Sequence, residues 1–265
     1  MRKLIFTDLD GTLLDRYTYS WEPARPALDV LRRAGVPWMF VTSKTRAEVE
    51  LLRHQLRNQH PFIVENGGAA FVPSGYFPFP IPGAASRDGY DVLEWGAPYL
   101  TLTAALEDAA RETGCRVQSF HQMTVEQTAA ACDLPLDEAA HAKQREYDEP
   151  FILLDPRCET GLLEALEARG FRTTRGGRFH HVCGNNDKAI AVRGLRDLFE
   201  RVCGPVTTIG LGDSWNDLPF LEAVDAPVIV RSPSAAEMKN QLPQALLTED
   251  EGPSGWNQAV LSLLE

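Results

Sequence analysis

Four short polar clusters carry the chemistry available to this chain. Asp8-Leu9-Asp10-Gly11-Thr12-Leu13-Leu14 sets two carboxylates at i and i+2 on a tight turn. Such a pair can act on one centre if the first attacks as a nucleophile and the second moves protons. A plain strand-ending turn uses the same Asp and Gly residues. Ser43 precedes a helix start, where a hydroxyl can bind an anion or cap the helix. Lys188 stands near the start of a helical pattern, after Asn185-Asn186-Asp187. A cation there adds to backbone N–H groups that already favour phosphate, although a solvated surface lysine has the same local sequence. Gly210-Leu211-Gly212-Asp213-Ser214-Trp215-Asn216-Asp217 puts two carboxylates at i and i+4. Both can face a hard divalent cation such as Mg²⁺, and a structural turn into a helix is the alternative.

The elements that must position these clusters are legible as short apolar runs. Leu4–Phe6, Val36–Val41, Phe62–Val64, Val206–Leu211 and Val228–Val230 lack polar alternation, as strands buried on both faces of a parallel sheet do. Helical patterns lie between them. Pro26–Ala34 ends at Gly35, Thr45 with Glu48 forms a capping box, and Asn186 is placed to cap a helix carrying Ile190, Leu195 and Leu198. This alternation predicts an α/β fold with a doubly wound, Rossmann-like parallel sheet, which binds ligands outside the carboxyl ends of its strands.

The middle of the chain breaks the rhythm. A Pro- and Gly-rich loop, Pro73–Gly83, precedes helical patterns at 99–111, 126–144 and 159–168. Extended segments fall at 115–120 and 151–154, with a strand or hairpin over 172–182 around Gly176-Gly177. These pieces predict an α+β domain inserted at 84–184 into a core made of 1–83 and 185–265. The five tryptophans have no regular spacing and read as packing residues.

The chain has 265 residues and a net charge of −11, with no Lys/Arg-rich block to track a nucleic-acid backbone. No run is apolar enough to predict a membrane span, and the N-terminus turns acidic too early for a signal peptide. Five cysteines, at 115, 132, 158, 183 and 203, have neither zinc-site spacing nor an even count. The expectation is a reduced, cytoplasmic protein without disulfides.

Taken in order, Asp8-x-Asp10, Ser43, Lys188 and Gly212-Asp213-x-x-x-Asp217 resemble the haloacid dehalogenase (HAD) superfamily, specifically its aspartate-nucleophile phosphatases. The long gap between Ser43 and Lys188 falls where type II members insert a cap. Val41–Thr45, Glu65-Asn66-Gly67-Gly68, Arg145–Phe151 and Gly176–His181 narrow the resemblance to the mannosyl-3-phosphoglycerate phosphatase family. The resemblance implies that Asp8 is the nucleophile and Asp10 the acid and base. It also implies that Asp8, Asp10, Asp213 and Asp217 hold Mg²⁺, while Ser43 and Lys188 bind the phosphoryl group. Lys44, Asn66 and Asn216 from the core, and Arg145, Glu149, Arg178 and His180 from the cap, are the remaining candidate substrate ligands. The implied partner is a small phosphorylated sugar-glycerate, with a homodimer a possible assembly. A phosphosugar mutase, a glucosyl-3-phosphoglycerate or broader sugar-phosphate phosphatase, and a non-catalytic sensor are the competing readings.

Overall fold

A computed structural model describes residues 2–176 and 178–264. The chain opens with β1 (Arg2–Thr7), α1 (Arg25–Ala34), β2 (Trp38–Phe40) and α2 (Arg46–Leu56). Four strands follow: β3 (Phe62–Val64), β4 (Ala69–Pro73), β5 (Ala85–Arg87) and β6 (Tyr90–Glu94). Then come α3 (Tyr99–Thr113), β7 (Val117–Ser119), α4 (Val125–Cys132), α5 (Leu136–Ala142) and β8 (Asp148–Leu153). They lead to α6 (Glu159–Glu167), β9 (Arg172–Arg175) and β10 (His180–Cys183). The last part holds α7 (Lys188–Cys203), β11 (Val206–Gly212), α8 (Leu218–Glu222), β12 (Ala226–Arg231), α9 (Ala235–Gln241), β13 (Leu246–Glu251) and α10 (Gly252–Leu264).

Five parallel strands form the central sheet in the order β13-β12-β11-β1-β2, so both ends of the chain build it. The apolar run of β1 is explained by its two covered faces. Ile5 packs with Leu28, Leu31 and Trp256 on one side, while Leu4 and Phe6 pack with Leu195, Phe199 and Phe220 on the other. The sheet therefore has the doubly wound α/β architecture that the strand–helix alternation predicts. Trp38 and Trp256 are fully buried packing residues, and the Trp256 indole donates to Thr7 Oγ1 at 2.9 Å.

Phe62–Val64 departs from expectation. It touches the central sheet through a single parallel bridge, Val41 to Ile63, and otherwise pairs antiparallel with β4 in the sheet β3-β4-β6-β5. Residues 85–94, assigned from sequence to the insertion, thus hydrogen-bond to the core-side hairpin. A third sheet, β7-β8-β10-β9, is antiparallel and carries α3 and α6 on one face, where Leu102, Leu106, Phe151, Leu162, Leu166 and Val182 form its own small core. The single helix expected over 126–144 is two, because Asp133 is left-handed (φ 61°) and Pro135 follows it. Gly177, part of the expected hairpin turn, lies outside the described residues.

Cys115 and Cys158 form a disulfide with Cα atoms 5.5 Å apart, which corrects the expectation of five reduced cysteines. Their separation of 43 residues hides the pairing in the sequence. It arises because Cys115 leaves α3 and Cys158 enters α6, and these helices pack together. Cys132, Cys183 and Cys203 are free thiols. Among the described residues no helix is long and apolar enough to cross a membrane.

The Glu65-Asn66-Gly67-Gly68 segment turns the chain beneath the start of α7. Gly67 has φ 85°, and a Cβ there would lie 2.1 Å from the Asp187 carbonyl oxygen. Backbone strain and overlap with backbone atoms add at this position. Gly67→Ala is expected to cost about 3 kcal/mol of folding stability. Urea denaturation checks this, and an unchanged midpoint would refute the account.

Candidate active site

The three strand-end clusters meet at the carboxyl ends of β1, β2 and β11, and α7 brings the fourth. Asp8 follows β1, and its backbone N–H donates to the Leu211 carbonyl at 2.9 Å, so β11 holds it in place. Lys188 is the first residue of α7 and is 1% exposed. Its ammonium donates to Asp8 Oδ1 at 2.8 Å and to Asp217 Oδ1 at 2.5 Å. Burial works against that charge, but Asp217 and Asp8 outweigh it and hold the lysine pKa above its ordinary value. Asp187, rather than Asn186, caps the helix by accepting from Ile190 N–H at 2.8 Å. Asn186 instead donates to the Asn66 carbonyl at 3.2 Å.

Asp8, Asp213 and Asp217 offer oxygen atoms that all lie within 4.8 Å of one another, buried in each case. Burial, together with the charges of Asp217 and Asp213, pushes the Asp8 carboxyl well above its ordinary value. Burial and Asp217 likewise push Asp213 to about 7. Asp217 is internally committed: its Oδ2 accepts from the Asp213 and Ser214 backbone N–H groups, each at 3.0 Å. Asp213 receives Thr12 Oγ1 at 3.1 Å and an Arg16 guanidinium at 2.6 Å. Gly11, at φ 82°, lets the turn pass close to this carboxylate, since a Cβ there would sit 2.7 Å from Asp213 Oδ2.

Asp10 stands on the same turn, more open than Asp8. Its Oδ2 lies 3.1 Å from the Lys44 ammonium, and its Oδ1 is buried without a partner. Lys44 also pairs with Glu48 at 3.3 Å, so the lysine is held between two carboxylates. Thr45 and Glu48 form the expected capping box at the start of α2. Ser43 lies just ahead of it and lines the cavity above Asp8.

The roof of that cavity of about 180 Å³ comes from the insertion: Phe120, Cys132, Arg145, Arg178, Phe179 and His181 face Asp8, Asp10, Lys44 and Asn216. Arg145 is buried and donates to the Ser43 carbonyl at 3.0 Å. Asn66 is left-handed (φ 56°) and ties three regions together. Its amide donates to Asp148 Oδ2 at 2.5 Å, its Oδ1 accepts from Asn216 at 3.0 Å, and its carbonyl takes Asn186. Glu65 accepts from the Glu146 and Tyr147 backbone N–H groups, the latter at 2.8 Å. Burial pushes the Glu65 carboxyl up to about 8 despite nearby Arg145.

Two expected cap ligands are not brought to the cavity. Glu149 is fully buried and accepts from the His121 backbone N–H at 2.9 Å. His180 stacks on Phe151 with ring centroids 5.4 Å apart. The cause is strand alternation: Val182 is paired with Glu149 and His180 with Phe151, on the face that packs against helices. Pro150 pairs with His181 on the opposite face, and both line the cavity. Sequence reasoning therefore chose the wrong member of His180-His181. It also missed Arg16, Tyr19, Glu48 and Asp148. Glu48 carried a signal, but one read only as a helix cap.

A haloacid dehalogenase-like hydrolase model matches residues 5–75. A glucosyl-3-phosphoglycerate/mannosyl-3-phosphoglycerate phosphatase of Methanococcoides burtonii is 42% identical, over 100% of this chain and 98% of the relative. This chain belongs to the haloacid dehalogenase-like hydrolases. A mannosyl-3-phosphoglycerate phosphatase of Pyrococcus furiosus is 39% identical, over 87% of this hydrolase and 91% of the relative. Among solved structures, a Thermoplasma acidophilum protein superposes with TM-score 0.70 at 18% identity, covering 100% of this chain and 99% of that one. The sucrose-phosphatase of Synechocystis gives 0.65 at 16% identity, with 99% and 98% covered. At such identities the two structures speak for the hydrolase fold alone.

The donor set of this hydrolase fits a hard divalent cation. Three clustered carboxylates, two of them held above their ordinary range by burial and by one another's charge, are paired among the described residues with two cations, Lys188 and Arg16, which leaves the cluster negative. Among the described residues Asp8 Oδ2 accepts no hydrogen bond, whereas Asp213 is engaged by Thr12 and Arg16, and Asp217 by Lys188 and two backbone N–H groups.

Proposed function

We propose that this hydrolase removes the phosphate of mannosyl-3-phosphoglycerate, releasing mannosylglycerate and inorganic phosphate in the cytoplasm, with the glucosyl analogue as a second substrate. The observation that carries the chemistry is the convergence of Asp8, Asp10 and Asp213 on the floor of a cavity roofed by the insertion, with buried Lys188 bonded to Asp8 beneath it. The relatives' names carry the substrate class.

Lys188 holds Asp8 Oδ1, which leaves Oδ2 as the attacking atom. Oδ2 forms a bond to phosphorus as the bond to the glycerate oxygen breaks, giving an aspartyl-phosphate. Asp10 gives its proton to that leaving oxygen. Water then attacks the phosphorus, Asp10 takes its proton, and Asp8 is restored with release of phosphate. Lys44, set 3.1 Å from Asp10, orients this acid. Ser43 and Lys188 bind the phosphoryl oxygens. Asp8, the Asp10 backbone carbonyl and Asp213 would hold Mg²⁺, with Asp217 ordering the shell, and the ion would supply charge that lets two anions approach. The insertion acts as a cap that excludes water, and Arg145, Arg178 and Asn216 shape its substrate side, while Asn66, expected as a ligand, lies outside the lining and holds Asn216.

Phosphate release with Mg²⁺ tests the reading on mannosyl-3-phosphoglycerate, glucosyl-3-phosphoglycerate and simple hexose phosphates. The two glycosyl-phosphoglycerates are expected to exceed the hexose phosphates by at least about 100-fold in kcat/KM. Equal rates on all would sink the substrate assignment. Conversion of hexose 1-phosphate to hexose 6-phosphate without phosphate release would replace the hydrolase with a mutase.

A further inference from the structure

His181 and Asp148 form a buried dyad that no step above uses. Asp148 is fully buried, and its Oδ1 lies 2.8 Å from His181 Nδ1. Burial opposes the charge on Asp148, but His181 and Arg145 outweigh it and hold the carboxyl below its ordinary range. The Asn66 amide and Arg145, at 3.4 Å, complete the setting of that carboxylate. The imidazole is thus fixed through Nδ1, and among the described residues its Nε2 makes no hydrogen bond. The ring lines the cavity next to Gly176, whose missing side chain keeps the approach open: a Cβ there would come within 3.3 Å of Nε2.

The charges around the cavity say what Nε2 meets. Lys44 is spent between Asp10 and Glu48, Arg16 on Asp213, and Arg145 on Asp148. Arg178, on the turn before β10, has its nearest carboxylate, the exposed Asp133, 3.9 Å away. The β9–β10 hairpin thus presents an exposed guanidinium and a carboxylate-backed imidazole on the side opposite the phosphoryl site. With both ring nitrogens protonated, the imidazole donates through Nδ1 to Asp148 and offers Nε2–H to an anion in the cavity.

We propose that His181, positioned by Asp148 and assisted by Arg178, is the subsite for the carboxylate on the half of the substrate that is not transferred. The proposal rests on the phosphoglycerate reading above. Through Asn66 it also links carboxylate binding to Asn216 and to the turn that leads into Lys188, so the two ends of the substrate are gripped from one hydrogen-bonded frame.

The test compares mannosyl-3-phosphoglycerate with the analogue in which the carboxylate is reduced to a hydroxymethyl group. In His181→Ala, KM for the carboxylate substrate should rise about 30-fold, the worth of one charge-assisted hydrogen bond. Its kcat should stay within a few-fold, and kinetics on the analogue should change less than twofold. Asp148→Asn should shift KM in the same direction by less, again sparing the analogue. Equal losses on both substrates would make His181 a hydroxyl reader or a structural residue and overturn the proposal, as would no loss on either. If His181→Ala fails to fold, His181→Gln decides: an amide donor at that place must still prefer the carboxylate substrate over the analogue. Wild-type protein inert toward both glycosyl-phosphoglycerates would instead refute the substrate reading itself.

Discussion

Asp8→Asn is expected to abolish phosphate release, with kcat lowered by about 10⁴-fold or more, while the protein becomes no less stable. The catalytic loss follows because the amide cannot supply the attacking oxyanion. The stability sign follows from the raised Asp8 pKa. A carboxyl held above its unfolded value costs folding free energy once the pH exceeds that unfolded value, because the folded state resists losing the proton. Without added metal, the neutral amide removes that cost, so thermal unfolding at neutral pH should occur at the same or a higher temperature. With Mg²⁺ the order reverses, since wild type gains from binding the ion and the variant, lacking one ligand, gains less. Melting curves with and without Mg²⁺ check both signs. A variant that loses activity and stability equally in both conditions would make Asp8 a structural residue.

Lys188→Met should show the opposite balance. The buried ammonium lies between Asp8 and Asp217, at 2.8 and 2.5 Å. Taking it away leaves two buried carboxylates facing each other and should cost about 3–5 kcal/mol of stability. Turnover should fall about 10²–10³-fold from the lost charge on the phosphoryl oxygens. The stability loss should shrink as pH falls from 7 to 5, because the Asp8 carboxyl, held above its ordinary value, can then take up a proton in the folded state. Urea denaturation at the two pH values measures this. A pH-independent loss would mean that Lys188 acts by packing over Phe220 rather than by charge.

Much of the core was legible in the sequence because its signals are local. Leu4–Phe6 and Val206–Leu211 lack alternation because both faces of β1 and β11 are covered, and a five-stranded parallel sheet results. The turn at Asp8–Leu14, the capping box at Thr45 and the i, i+4 pair at Asp213 and Asp217 each specify their own geometry within a few residues. The insertion was harder. Phe62–Val64 has the composition of a core strand, yet it pairs mainly with β4, because the tight turn through Asn66 and Gly67 sends the chain straight back. Nothing local could show that residues 85–94 would join that hairpin.

The sequence by itself determined the kind of chemistry: which carboxylates, lysine and serine stand at strand ends, and in what order. Tertiary structure decided which carboxylate oxygens are engaged, leaving Asp8 Oδ2 without a bond among the described residues while both oxygens of Asp213 and Asp217 are taken. It committed Asp217 to Lys188 and backbone N–H groups, set Lys44 on Asp10, and joined Cys115 to Cys158. It also chose His181 over His180. Adjacent strand residues face opposite sides, and only the pairing of β10 with β8 shows which side meets the cavity. Residue type and spacing act within a few bonds along the chain, whereas the partner that uses up a lone pair or a charge comes from across the fold.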